Sequence, residues 1–338
     1  MRKLSKIIIS ALLSVSLVAS VTGCAAKDDS GSSKDSGKKT AVRVAYFPNI
    51  THSQALVLKN KKTLEEQWSD KCDVSWTSFN AGPAEMEAIF AGEIDLGYIG
   101  PVPALSANAK SNGEVKIISN STDAGAVLLK RKDSEINSVA DLAGKKVAIP
   151  QLGNTQHLCL LKLLADNNLK TTDQGGDVTV SASANADILN LMDNGSVDAA
   201  LVPEPWGTTI EKNGNAEVLL DYNEVLLDGN YPTAVVVVSE DFMKAHPDLV
   251  KDFLKAHEDT TTYINENLDE SLKIVNAEIE EATGKALADD IIKSAFERMT
   301  ISTTLNKDAI MEFGQISKNE GFIEEVPEEE NVFTTEIN

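Results

Sequence analysis

Five short segments carry residues whose types and spacing suit the capture of a small anion. They are Pro48-Asn49-Ile50-Thr51-His52-Ser53-Gln54, Asn80-Ala81-Gly82-Pro83, Gly100-Pro101-Val102-Pro103, Gly153-Asn154-Thr155-Gln156-His157 and Val202-Pro203-Glu204-Pro205-Trp206. Each stands where a strand-like run gives way to a helix-like one. The first N–H groups of a helix have no intrahelical acceptor and carry the positive end of its dipole, so an oxyanion can bind there without Arg or Lys. Glycine lets the backbone approach such a ligand. Taken singly, each segment is also an ordinary helix cap; it is the set of five on one sheet edge that points to a site.

Within the set, Asn154 and Thr155 supply an amide and a hydroxyl beside exposed N–H groups, with Gln156 and His157 next in line. Asn49, His52 and Gln54 are the ligand-facing candidates of the first segment, and Gly82, Gly100 and Pro101 those of the second and third. His52, His157 and Glu204 form an alternative set, because imidazole with carboxylate suits a transition metal. No HExxH, GxSxG, Walker lysine loop or dinucleotide fingerprint occurs, so no enzyme and no cofactor is expected.

The elements that must position these residues follow from periodicity. Val42–Phe47, Asp73–Ser78, Asp95–Ile99, Val115–Ser119 and Ala126–Leu129 read as strands, with helices over Thr51–Trp68, Pro83–Phe90 and Val102–Lys110 between them. A second series has strands at Lys146–Ile149, Val178–Ser181, Asp198–Val202 and Val218–Leu220, and helices from Thr155 to Asn167, over Ala186–Met192 and over Pro205–Lys212. Thr233–Val238 is a continuous β-branched run, as in a strand buried on both faces. Helices fill the rest, and the acidic stretch Glu324–Glu330 is expected to fray. Strands alternating with helices predict an open α/β sheet that binds ligands outside the carboxyl ends of its strands.

The N-terminus bears on location. Arg2, Lys3 and Lys6 precede the apolar run Ile7–Val21, which is the length of a signal h-region and short for a membrane span. Val21-Thr22-Gly23-Cys24 resembles a bacterial lipoprotein processing site, which implies a signal peptide over 1–23 and a lipid on Cys24. Residues 24–40 then form a flexible tether, having nothing apolar larger than alanine between Ala25 and Lys39. The remaining 298 or so residues are long for one core and predict two lobes. Loss of residues 1–23 takes the net charge from −21 to −24, which excludes nucleic acid as a partner. Cys72 and Cys159 show no metal spacing and are read as buried small hydrophobes rather than a disulfide.

The stretches YFPNITHSQAL (46–56), FNAGPAEMEAI (79–89), GEIDLGYIGPVPAL (92–105), LAGKKVAIPQLGNTQ (142–156) and DAALVPEPWG (198–207) resemble the nitrate/sulfonate/taurine family of ABC-importer binding proteins. The similarity runs over roughly residues 42–260 and implies a two-lobed α/β fold of the type II periplasmic-binding-protein kind. Lobe one would be 41–130 plus 236–338 and lobe two 131–235, with a ligand cleft between them. By the same resemblance the chain is a monomeric, extracytoplasmic lipoprotein that delivers a sulfonate, taurine or nitrate to membrane permease subunits. Glu204, followed by Pro205, would pair with a ligand ammonium, and Trp206 would pack on its alkyl part. Ser53 and Gln54 depart from the small or apolar residues usual in the family, which leaves the ligand's identity open. A pyrimidine precursor of thiamine is the alternative, and only Tyr46, Phe47, Tyr98 and Trp206 are placed to stack on one.

Overall fold

The strand Thr40–Tyr46 (β1) shows why the chain folds as it does. Val42, Val44 and Tyr46 enter one apolar cluster, and Ala45, pointing the opposite way, enters another. The computed structural model describes residues 39–334; the signal peptide, Cys24 and the tether expected before them lie outside the described residues. Ten more strands follow: β2 Cys72–Ser78, β3 Leu96–Ile99, β4 Val115–Ala124, β5 Ala126–Arg131, β6 Lys146–Ile149, β7 Thr179–Ala182, β8 Ala199–Pro203, β9 Ala216–Leu220, β10 Pro232–Ser239 and β11 Met299–Ile301.

They form two sheets, ordered β11-β4-β10-β3-β1-β2 and β7-β6-β8-β5-β9. In the first, β1 runs parallel to β2 and β3, while β10 is antiparallel to β3 and β4. In the second, β6 is parallel to β7 and β8, and β5 is antiparallel to β8 and β9. Both faces of each sheet are covered. Val235 and Val237 of β10 join the same cluster as Ala126 and Leu128 of β5, whereas Val236 and Val238 pack with Phe253 and Val275 on the other face. Val127 and Leu129 lie in a third cluster with Ile188 and Ile210. This two-sided burial accounts for the unbroken apolar runs.

The structure alters four readings of the sequence. The five segments lie at the ends of strands in two sheets, not on one edge. Sheet membership changes at Gly125, so all of Ala126–Arg131 pairs in the second sheet and all of Pro232–Ser239 in the first. The single helix expected over Thr51–Trp68 is a 3-10 turn at Ile50–His52 and two helices, Ser53–Asn60 and Thr63–Gln67, divided at Lys62 with φ +53°. That break seats Trp68, fully buried, with its Nε1 donating to Asp252. Finally, the acidic residues of Glu324–Glu330 stay exposed, but the chain is docked just beyond them: Val332 and Phe333 are buried, Phe333 bridges to Ile117, and the Asn331 carbonyl accepts from Asn108 and Lys116. Cys72 and Cys159 are free, buried thiols.

Candidate functional site

A small, partly open cavity lies where the carboxyl ends of β1, β2, β3, β6 and β8 meet. Helix starts from both sheets converge on it. Its walls include Asn49 and His52, Asn80 to Gly82, Gly100 and Pro103, Pro150, Asn154 to Gln156, Asn185, Pro203 and Thr233.

Each start is set by local chemistry. After β1, Asn49 Oδ1 accepts from Thr51 N and Thr51 Oγ1, both at 3.1 Å, and so opens the 3-10 turn. His52 stacks on Phe47 with centroids 4.4 Å apart, and its Nδ1 accepts the Phe47 N–H at 3.2 Å. Burial pushes its pKa down to about 3, so the ring is neutral and carries its proton on Nε2. After β2, Gly82 begins the helix Gly82–Phe90; a Cβ there would fall 2.3 Å from Pro103 Cγ. After β3, Gly100 precedes the helix Pro101–Ser111, and a Cβ on it would fall 2.4 Å from Thr155 Oγ1. Glycine at 82 and 100 therefore lets these starts approach one another.

In the second sheet, Asn154 caps the helix Thr155–Asp166, its Oδ1 accepting from His157 N at 2.8 Å. Among the described residues the N–H groups of Thr155 and Gln156 have no protein acceptor, as the first turn of a helix dictates. Thr155 Oγ1 and Asn185 Oδ1 are buried without a hydrogen-bond partner although both residues line the cavity. Among the described residues the lining holds no Lys, Arg, Asp or Glu, so the site is an uncharged set of dipoles, hydroxyls and amides. Such a set binds an oxyanion by N–H and O–H donation in a low dielectric.

Of the twelve ligand-contact candidates, seven line this cavity: Asn49, His52, Gly82, Gly100, Asn154, Thr155 and Gln156; the stacking candidate Phe47 lines it too. Five do not. Gln54 is fully buried and spent on Ser121 and Thr261, donating to the Ser121 carbonyl at 2.8 Å and accepting from Ser121 Oγ at 2.8 Å. Pro101 is buried in its helix, whose turn brings Pro103 to the cavity instead. His157 faces an adjoining hollow, with Nδ1 accepting from Gly153 N and its ring against Phe322. Trp206 packs on the third apolar cluster. Glu204 is fully buried and bound by Thr208 and Arg298, so it offers no free carboxylate. His52, His157 and Glu204 thus do not converge, and no group of three or more metal-ligating His, Cys, Asp or Glu occurs among the described residues.

Asn185 and Thr233 also line the cavity and were not foreseen. Asn185 is the first residue of its helix, one position before the expected start. Thr233 is the second residue of the antiparallel strand β10, where no helix start marks it; its Oγ1 donates to the Ala124 carbonyl.

Comparison with known proteins gives the geometry a context. The model of the NMT1-like family matches residues 35–277. A protein of Escherichia coli (strain K12) named "Putative aliphatic sulfonates-binding protein" is 31% identical over 232 residues, 68% of this chain and 66% of its own length. The taurine-binding periplasmic protein of the same strain is 30% identical over 179 residues, 53% of each chain. The chain therefore spans about two thirds and about half of the lengths of these two relatives. Among solved structures, the alkanesulfonate-binding protein of Xanthomonas axonopodis pv. citri, bound to MOPS, superposes with a TM-score of 0.71 over 87% of this chain and 96% of that one, at 21% identity. The likeness is one of fold: two α/β lobes of the periplasmic-binding-protein kind.

Proposed function

The chain belongs to the NMT1-like family, and we propose that it is the extracytoplasmic solute-binding component of an ABC importer that captures an aliphatic sulfonate between its two sheets. The observation that carries this reading is the charge-free cavity at which helix starts of both sheets meet around the unpartnered hydroxyl of Thr155. A sulfonate offers three acceptor oxygens to such donors. Because Glu204 is committed to Arg298 and no carboxylate lines the cavity, a simple alkanesulfonate suits it better than the zwitterion taurine. Closure of the lobes on the ligand would be the signal read by the permease.

The name of the taurine-binding periplasmic relative supports export, and the apolar run ahead of Val21-Thr22-Gly23-Cys24 supports a lipid anchor on Cys24. A monomer held at the outer face of the cell membrane is the form this reading requires. Replacing Cys24→Ser should move the protein from the membrane fraction to the soluble one; retention in the membrane would refute the anchor.

The test of the ligand is a thermal-shift and calorimetric screen of the mature chain against short alkanesulfonates, taurine, nitrate, hydroxymethylpyrimidine and zinc. A ligand at 100 times its Kd adds about 2.7 kcal/mol of stability, which a melting curve resolves. A rise with alkanesulfonates is expected. A rise with nitrate, pyrimidine or zinc alone would overturn the proposal.

A further inference from the structure

Ser119, Asn120, Ser121 and Thr122 are consecutive polar residues inside β4, and none is more than 5% exposed. On the neighbouring β10 the residues paired with Thr122, Asn120 and Ser119 are Ala234, Val235 and Val236. A hydroxyl or amide taken out of water costs free energy unless it is hydrogen-bonded, so a buried strand gains no stability from such a run over valines. Among the described residues that line the cavity, none belongs to β4. The partners of the run give its reason.

Two of the four reach the segment after β1. Thr122 Oγ1 donates to the Thr51 carbonyl at 2.7 Å. Ser121 Oγ donates to Gln54 Oε1, and the Ser121 carbonyl accepts from Gln54 Nε2, both at 2.8 Å. β1 and β4 are not neighbours, because β3 and β10 stand between them. The segment therefore spans two strands to meet these partners. Thr51 lies between the cavity residues Asn49 and His52, and its own N–H and hydroxyl are already given to Asn49 Oδ1. Its carbonyl is where β4 takes hold of the turn. Ser119 and Asn120 bond away from it, Ser119 Oγ to the Asn120 and Thr303 carbonyls and Asn120 Nδ2 to Asp123.

We propose that Thr122 and Ser121 are positioning residues of the ligand site: from outside the cavity they fix the turn Ile50–His52, and with it the amide of Asn49 and the ring of His52. Thr122 acts on the turn itself, and Ser121 acts through Gln54 on the helix that follows. The inference rests on the cavity being the ligand site, and not on which anion fills it.

The test compares three variants of the mature chain with the parent. Thr122→Val removes the donor at nearly constant volume, Thr122→Ser restores it, and Ser119→Ala deletes a buried hydroxyl of the same strand whose bonds lead elsewhere. Amide exchange is followed by NMR without ligand, and methanesulfonate affinity by calorimetry. The Thr51 and His52 N–H groups are bonded to Asn49 within the turn. In Thr122→Val their exchange should quicken by about tenfold relative to β1, and methanesulfonate affinity should fall by about tenfold. Thr122→Ser should return both towards the parent, and Ser119→Ala should change neither. A general loss of stability quickens β1 as well and cancels in the ratio. An unchanged ratio in Thr122→Val, or equal effects of Thr122→Val and Ser119→Ala, would overturn the proposal. So would a loosened turn with affinity intact, since a positioning residue must be felt by the ligand. If the parent itself does not bind methanesulfonate, the sulfonate reading fails, and the exchange ratio alone decides whether β4 holds the turn.

Discussion

Arg298 Nη1 lies 3.0 Å from Glu204 Oε1, and the contact ties the first sheet to the second. Arg298 immediately precedes β11 and Glu204 immediately follows β8. The same guanidinium reaches Glu211 at 2.9 Å and Asp221 at 3.1 Å, so one cation gathers three carboxylates of the second lobe. Burial pushes the Glu204 pKa up, and the Thr208 N–H and Arg298 only partly oppose it. Bonds to Glu204 and Glu211 raise that of Arg298 against its own burial. The pair is therefore a costly one to break. Arg298→Met should lower stability by about 3–5 kcal/mol at neutral pH, since it strands a buried carboxylate. The added change Glu204→Gln should recover part of the loss. Urea denaturation of the three variants is the measurement, and a loss below 1 kcal/mol or so would show the pair to be slack.

Thr155 sets a contrasting case. Its hydroxyl has no protein partner, so Thr155→Val should leave the ligand-free protein within about 1 kcal/mol of the parent. Sulfonate affinity should fall by about tenfold or more, as a hydrogen bond to a charged acceptor is worth about 1.5–3 kcal/mol. Calorimetry with the preferred sulfonate decides it, and unchanged affinity would take Thr155 out of the site.

Gly82→Ala tests the closeness of the helix starts. The new Cβ would press on Pro103 Cγ at 2.3 Å and Cβ at 2.7 Å, and a proline ring cannot swing aside. The expected result is a loss of about 1–3 kcal/mol from overpacking, together with weaker ligand binding. A variant as stable and as tight as the parent would show that the helix carrying Pro103 yields freely.

Glu85 makes a prediction in pH. Its carboxyl is fully buried without a partner, under Gly97, where a Cβ would collide with Oε1. Burial raises its pKa well above the usual 4.5, so it is neutral in the folded chain. Below about pH 4.5 the group is protonated folded and unfolded alike. As pH rises from there the unfolded chain releases the proton first, and stability falls by up to about 1.4 kcal/mol per pH unit until the folded group ionises. Glu85→Gln lacks that loss. Its stability relative to the parent should climb between pH 4.5 and 8 in urea titrations, and a constant difference would mean the carboxyl is solvated.

The tail supplies a test of packing. Phe333 is 4% exposed and pairs with Ile117, so Phe333→Ala should cost about 3–5 kcal/mol in thermal or urea unfolding. A negligible change would indicate a tail that only rests on the surface.

Much of this was legible in the residues. The alternation of Val42, Val44 and Tyr46, the β-branched run of β10, and the cap Asn154 before Thr155 are local patterns, and local geometry turns them directly into strands and a helix start. The glycines, prolines and asparagines after the strands marked much of the cavity wall, because such residues favour the ends of strands and the starts of helices. The polar end of β4, Asn120 to Asp123, was missed because buried polar residues show no apolar period; their partners, such as His257 for the Asn120 carbonyl, are far away in sequence.

By itself, the sequence determined that strand ends would present helix starts and that the chain would be strongly acidic. Each of these follows from residue type or from neighbours a few positions apart. Only the tertiary structure decided which candidates face the cavity. Gln54 is drawn to Ser121 and Thr261, and Glu204 to Arg298, by partners 67 to 207 residues away. A buried polar group must find its partner wherever the fold places one, and no spacing along the chain reveals whether that partner will be another residue or a ligand.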